Sequence, residues 1–383
     1  MSRPVPPVAV VVGWVVRYPL AGMAWSFLSY LLALRDLGYE PVFMEAAIES
    51  ESCYDVDAAA LTGDPAYGIR FLESCLAATG LGGIRWWYRD GDRDWGMSRD
   101  EAVAVLEESA VLLNVAISSW CPEFRRAPRR LLVDCDAPLT QIQLERARYP
   151  LTPIVDAHDT LFTYAVNLAE GGYRGPDGGR RWRATRPPVH LPSWTTSAPS
   201  EDGAWTTVTS WREKGRSYRA ILDLPSRGAG PFELAIAGDA PAGELRAAGW
   251  RVVDPVPVTR SLPAFADYVR GSRGEVGVAK HAFVESRSGA FNDRALAYLA
   301  SGRPVVCSDT GLSWLPAGDG LLPFRDALAA ARAIATVEED RVHHGRAARA
   351  LAEDHFAGGR VVGRLLRDAD VPLPEPVAAG GAR

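Results

Sequence analysis

Lysine is almost missing from this chain. Of its 42 basic side chains two are lysines, Lys214 and Lys280, and the other 40 are arginines. A base composition that favours arginine replaces lysine wherever either cation serves. A surviving lysine then marks a place where a compact ammonium is wanted, survival by chance being the alternative. Cysteine is scarce as well. The five (Cys53, Cys75, Cys121, Cys135 and Cys307) are odd in number and scattered without metal-type spacing. That argues against a disulfide framework or a zinc module and predicts a reduced, cytoplasmic protein. No apolar run is long enough for a membrane span. The Val8–Val16 run lacks a cleavage signature and reads as a first strand rather than a signal peptide. Basic charge is not in excess: the formal net charge is −5, which argues against nucleic acid as the main partner. The first strand-to-helix turn has no G-x-G-x-x-G, which counts against a dinucleotide site there.

What is present is enough for two domains: 383 residues, 47% of them hydrophobic. Val8–Val12 is a β-branched run that predicts a strand, and Gly13 to Gly22 a loop. Apolar residues at helical spacing predict a helix over Met23–Leu37, and Pro41–Met44 is the next strand. This is the opening βαβ unit of a Rossmann-like domain. Phe71–Ala78 and Arg99–Glu108 read as helices, Ala110–Ala116 and Leu131–Cys135 as buried strands. The latter ends in Asp134-Cys-Asp136, which puts carboxylates at the strand's carboxyl end, where open α/β sheets bind ligands. The aromatic stretch Arg85-Trp-Trp-Tyr88 offers faces for a sugar or an aromatic ring, or simply packs a surface excursion. Asp156-Ala-His158-Asp159 precedes a helix-like stretch, Thr160–Glu170. His158 is the only histidine before residue 190 and is the candidate acid/base or acceptor-orienting group, the alternative being a structural histidine. A Gly- and Pro-punctuated stretch ends this half.

The second half repeats the pattern. Thr206–Ser210, Phe232–Ala237, Trp250–Val253, Val276–Ala279 and Pro304–Cys307 are predicted strands. Helices are predicted over Gly243–Ala248, Leu262–Arg270, Phe291–Ser301, Asp326–Ala333, Glu338–His355 and Gly359–Leu366. Both lysines fall just past predicted strands, at what would be one carboxyl edge. The division expected is a Rossmann-like domain over 1–172, a linker over 173–205, a second Rossmann-like domain over 206–371 and a disordered tail over 372–383.

The stretch Val276–Leu315 carries a more specific signal. Glu285, seven residues, then Asp293, then a helix ending in Ala300-Ser-Gly-Arg-Pro-Val-Val306 resembles the donor-site motif of GT-B fold glycosyltransferases. Lys280 with Ser288-Gly-Ala-Phe-Asn-Asp-Arg294, Tyr298-Leu-Ala-Ser-Gly-Arg-Pro-Val305 and Asp309-Thr-Gly311 is similar to a group of bacterial probable glycosyltransferases. The resemblance implies an α/β, GT-B architecture, with two Rossmann-like domains facing a central cleft. It implies transfer of a hexosyl or deoxysugar unit from a nucleotide-diphosphate donor to a small-molecule or glycan acceptor, a natural product of secondary metabolism among them. Acidic pairs of this kind are commonest in retaining families. The donor is a co-substrate, so no cofactor is implied, and the layout requires no metal.

On that resemblance Lys214, Lys280, Arg287 and Arg294 contact the diphosphate. Ser288, Gly289 and Ala290 offer amides at a helix N-terminus. Asp293 takes the ribose hydroxyls, although an Asp in a first helical turn also complements the helix dipole without any ligand. Glu285 lies near the transferred sugar as a catalytic residue beside His158. Gly22, Met23, Trp25 and Asp159 face the cleft or the acceptor, Gly22 alternatively serving only the turn. Two other readings stay open: a sugar-nucleotide-binding accessory protein without turnover, and a sugar-nucleotide epimerase.

Overall fold

A computed structural model describes residues 5–48, 52–117, 119–146, 151–198, 201–212, 214–228 and 230–375. The first half contains β1 (Val8–Val12), β2 (Glu40–Ala46), β3 (Cys53–Asp55), β4 (Ala60–Thr62), β5 (Trp86–Asp90), β6 (Arg93–Gly96), β7 (Val111–Val115), β8 (Arg130–Asp134), β9 (Thr160–Thr163) and β10 (Arg183–Ala184). Eight of these form one sheet in the order β10-β9-β8-β7-β1-β2-β5-β6, parallel except for the antiparallel hairpin β5–β6. The second half contains β11 (Trp205–Ser210), β12 (Phe232–Ala237), β13 (Arg251–Val253), β14 (Gly274–Gly277), β15 (Val305–Ser308) and β16 (Leu321–Phe324). They pair in the order β13-β12-β11-β14-β15-β16. This is the doubly wound 3-2-1-4-5-6 arrangement. It places a topological switch point between the carboxyl ends of β11 and β14, where crossovers leave to opposite faces and a crevice opens.

The strands form where the sequence is continuously apolar, as sheets covered on both faces require. Val8–Val12 and Val111–Val115 are buried throughout. The first helix, Ala21–Asp36, is apolar nearly all round, and its neighbours explain why. It packs on β1 and β2, and also on helices of the second half, Leu262–Gly271, Asp293–Ala300 and Gly358–Asp368. Phe27, Leu28 and Leu31 share one core with Phe265, Leu296 and Val362. The last helix therefore lies on the first domain, with Gly358 against Ala33 and Gly363 against Leu37.

Several expectations are corrected. Thr160–Glu170 is not one helix but β9, a turn, and a short helix Val166–Glu170. Its first four residues pair in register with Leu131–Asp134, and that pairing overrides any helical tendency. Arg183–Ala184, assigned to the linker, extends the first sheet beside β9. The polar turn starting at Glu285 begins instead after a short helix, His281–Glu285. Part of the stretch read as a tail is docked: Tyr39 Oη donates to the Pro372 carbonyl at 2.5 Å, and Leu373 packs on the core. Residues 376–383 of that stretch lie outside the described residues. Among the described residues no helix is long and apolar enough to cross a membrane.

Candidate functional site

The loops after β11 and β14 bring the two lysines to the switch point. Lys214 closes the turn after β11 and opens the short helix Gly215–Arg219. Lys280 ends the loop after β14 and precedes the helix His281–Glu285. The two ammonium groups sense each other's charge, together with Arg294, Glu275 and Asp293. Part of Lys214 reaches solvent, but its ammonium is desolvated by the surrounding protein. Desolvation first, and then the Arg294 charge, push its pKa down to about 7. Among the described residues the Lys214 ammonium has no hydrogen-bond or ion-pair partner. An unpaired, desolvated cation is costly unless an anion arrives. Lys280 Nζ lies 2.6 Å from Asp136 Oδ1, across the boundary between the two halves, and 5.8 Å from the Phe283 ring centroid.

Asp136 owes its position to Asp134. The Asp134 carboxylate is buried and accepts hydrogen bonds from Thr140 Oγ1 at 2.7 Å, Gln141 Nε2 at 2.9 Å and the Asp136 amide at 3.0 Å. The Asp-Cys-Asp element thus splits its work: one carboxylate is turned inward to brace the loop, the other outward to Lys280. Among the described residues no cluster of His, Cys, Asp or Glu has a metal-holding arrangement.

Asp293 begins the helix Asp293–Ala300. It accepts from the Arg294 amide at 2.8 Å and from Ser26 Oγ of the first helix at 2.5 Å. Asp293 thus spans the two halves as Lys280 does. A second bridge runs through Asn167, which the sequence reading passed over. Its Nδ2 donates to the carbonyls of Arg287 at 2.8 Å and Gly311 at 2.9 Å, and its amide donates to the Ser288 carbonyl at 3.1 Å. A Cβ on Gly289 or Gly311 would lie 2.7 Å from the Asn167 side chain, and both glycines have positive φ (+72° and +93°). The two glycines make room for this latch.

Several predicted site residues therefore have other employment. The amides of Ser288, Gly289 and Ala290 donate to the Phe283 carbonyl, the Thr310 carbonyl and Ser288 Oγ. They form a closed loop, not a phosphate cradle. The Arg294 fork is held by Glu275 at 2.6 Å and the Val208 carbonyl at 2.9 Å, with Glu275 only 1% exposed. This is a buried structural pair rather than a diphosphate clamp. Arg287 contributes its carbonyl to the latch, with positive φ of 49°. Glu285 is exposed and lies 2.6 Å from His281 Nε2. Trp25 packs on Trp194 of the crossing segment, centroids 5.0 Å apart, and Gly22 faces Phe265. Met23 is partly exposed in the same helical turn.

His158 and Asp159 are not brought to the site. Both precede β9 and lie at the amino edge of the first sheet, opposite the ligand-binding edge. His158 Nδ1 lies 2.7 Å from the Ile154 carbonyl, Nε2 lies 3.3 Å from Asn114 Nδ2, and Trp120 packs on the ring. Burial pushes its pKa down to about 4, so it is neutral at physiological pH. Asp159 accepts from the Arg130 amide and pairs with its guanidinium at 3.1 Å, tying β8 to β9. Replacing His158 with alanine is expected to leave nucleotide affinity within twofold of wild type and to cost about 1–3 kcal/mol of stability, read by titration calorimetry and urea unfolding. The wild type should also lose stability as pH falls from about 6.5 to about 4, where the unfolded state binds a proton that the folded state refuses. The alanine variant should lose less over that window.

Glu45 was also missed. It is fully buried at the end of β2 and accepts the amides of Val15, Val16 and Arg17 at 2.6, 2.8 and 2.9 Å. It fixes the loop after β1. Burial pushes its pKa up to about 7 against the pull of those three amides.

This architecture is that of the GT-B fold, two doubly wound α/β domains with their carboxyl edges brought together. The structure of AviGT4, a glycosyltransferase involved in avilamycin A biosynthesis, aligns over 95% of this chain and 97% of its own with a TM-score of 0.57 at 12% identity. LpCGTa in complex with UDP aligns over 96% and 100% with a TM-score of 0.46 at 12% identity. S. aureus MnaA bound to UDP aligns over 97% and 99% with a TM-score of 0.48 at 11% identity. No family model matches the chain, and no curated protein matches it in sequence.

Proposed function

We propose that this protein is a glycosyltransferase that takes its sugar from a nucleotide-diphosphate donor bound at the switch point of the second sheet. The observation that carries this reading is the pair Lys214 and Lys280 at that crevice, the first desolvated and, among the described residues, without a hydrogen-bonded or ionic partner. Two ammonium groups at the carboxyl edge of a doubly wound sheet match the charge and reach of a diphosphate. As the glycosidic bond to the donor breaks, negative charge gathers on the departing phosphate, and the fixed cations stabilise it there. Asp293 takes a donor hydroxyl in place of Ser26. The apolar seam around the first helix limits, without abolishing, the access of water to the reacting atoms. AviGT4 has the same fold and is described as acting in avilamycin A biosynthesis, which supports a natural-product acceptor without identifying it.

The test is incubation with a panel of nucleotide sugars. Released nucleoside diphosphate would be measured by coupled assay and the sugar nucleotide followed by NMR. Release of diphosphate in step with loss of donor is expected. Appearance of a new epimer without diphosphate release would replace transfer with epimerisation. Binding without either change would make the protein an accessory module.

Lys214 gives this reading a pH signature. The donor selects the charged amine, whose pKa in the free protein is about 7. Above that pH, binding must take up a proton. Nucleotide affinity should fall by up to about tenfold per pH unit between 7 and 9. Lys214→Met should bind more weakly at pH 6.5 and lack that slope, as read by calorimetry across the range.

A further inference from the structure

We propose that Asp136 receives the acceptor's proton during transfer, and that Lys280 holds this carboxylate until the donor's diphosphate displaces it. The inference rests on the donor-site reading above and extends it to the group the first domain supplies. Asp136 stands at the carboxyl end of β8, on the half of the molecule that faces the donor domain. Its side chain is 48% exposed and lies 2.6 Å from Lys280 Nζ. The loop that carries it is braced from within by Asp134, Thr140 and Gln141, so its carboxylate is held in place rather than carried on a loose tip.

The other titratable candidates are engaged elsewhere. His158 is neutral, buried and on the far edge of the sheet. Glu285 is at the surface with His281. Asp293, held by the Arg294 amide and the Ser26 hydroxyl in the free protein, is assigned to a donor hydroxyl in the reading above. Asp136 is the carboxylate that shares its counter-cation with the diphosphate. A phosphate entering beside Lys280 divides that cation's charge and brings a like charge near Asp136, and both effects raise the carboxylate's basicity. In the step, an acceptor oxygen bonds to the sugar's anomeric carbon and gives its proton to Asp136. The bond from that carbon to the diphosphate oxygen breaks, and its electron pair leaves with the nucleoside diphosphate. Water can stand in for the acceptor, so the step is measurable without knowing the acceptor's identity.

The experiment compares wild type, Asp136→Asn and Asp136→Ser, with UDP affinity by calorimetry and UDP release from UDP-sugars by coupled assay. Removing the Asp136 charge takes away one anion that competes with the diphosphate for Lys280. UDP should therefore bind threefold to tenfold more tightly in both variants, while kcat for UDP release falls by a hundredfold or more and KM for the donor does not rise. A residue that only held the domains together would give weaker binding and a higher KM. Equal or weaker UDP binding in the folded variants, or an undiminished kcat, overturns the proposal. Should the wild type show no turnover with water, the affinity arm decides alone. A wild type that binds no nucleoside diphosphate overturns the donor-site reading, and the assignment of Asp136 falls with it. That outcome is distinct from failure in the variants alone.

Discussion

Lys280→Ala is expected to weaken binding of a nucleoside diphosphate by roughly 10- to 150-fold, the loss of about 1.5–3 kcal/mol that accompanies removal of a charge-assisted contact. The effect should lie toward the upper end. The lysine is paired with Asp136 at 2.6 Å in the free protein, and its removal takes away the ammonium that stands between that carboxylate and the incoming phosphates. Adding Asp136→Asn to Lys280→Ala should recover part of the affinity, because one of the two repelling charges is gone. The loss should be much smaller for the nucleoside, which carries no phosphate. Calorimetric titration of UDP, UMP and uridine into both proteins reads all of this directly.

The second large effect falls on stability. Arg294 and Glu275 form a buried pair, 11% and 1% exposed at their side chains and 2.6 Å apart. Taking away one partner leaves an uncompensated charge inside the sheet, at a cost of about 3–5 kcal/mol. Arg294→Met should therefore lower Tm by roughly 5 °C. Combining it with Glu275→Leu should restore most of that loss, because an apolar pair of similar volume removes the stranded charge. The measurement also separates the two roles considered for Arg294. A diphosphate contact would show as lost affinity with little change in Tm, whereas the buried pair shows as lost Tm, with nucleotide affinity following only through Lys214. With Arg294 gone, one repulsion on the Lys214 ammonium disappears, so the Lys214 pKa should rise from about 7.

The first sheet was readable from the chain because short, mostly apolar runs such as Val8–Val12 and Val111–Val115 favour buried strands. The rule that ligands gather at carboxyl edges then placed both lysines correctly at one crevice. Reading failed where the outcome depends on a distant partner. Thr160–Thr163 is too short for periodicity to tell strand from helix; its pairing with β8, some thirty residues away, decides. His158 looked available because nothing nearby in sequence claims it, but its partner Asn114 is on another strand. The amides of Ser288–Ala290 resembled an anion cradle until the Thr310 carbonyl and Asn167 were seen to close the loop. Asp134-Cys-Asp136 drew notice as a pair of carboxylates at a strand's carboxyl end, with nothing to tell the two apart. Its division into an inward brace and an outward acceptor of Lys280 depends on which way each side chain turns, and that is fixed by Thr140, Gln141 and the opposite domain.

The central claim is that the crevice between β11 and β14 binds a diphosphate through Lys214 and Lys280. Its most direct test is calorimetric titration of UDP, GDP and dTDP into the wild-type protein at pH 6.5, set beside the Lys214→Met/Lys280→Ala double variant. The account predicts saturable one-to-one binding of at least one nucleoside diphosphate, with a stabilisation of about 2.7 kcal/mol at a hundredfold excess over Kd, and its loss in the folded double variant. Binding that survives in the double variant, or no binding of any of the three to wild type, would contradict it.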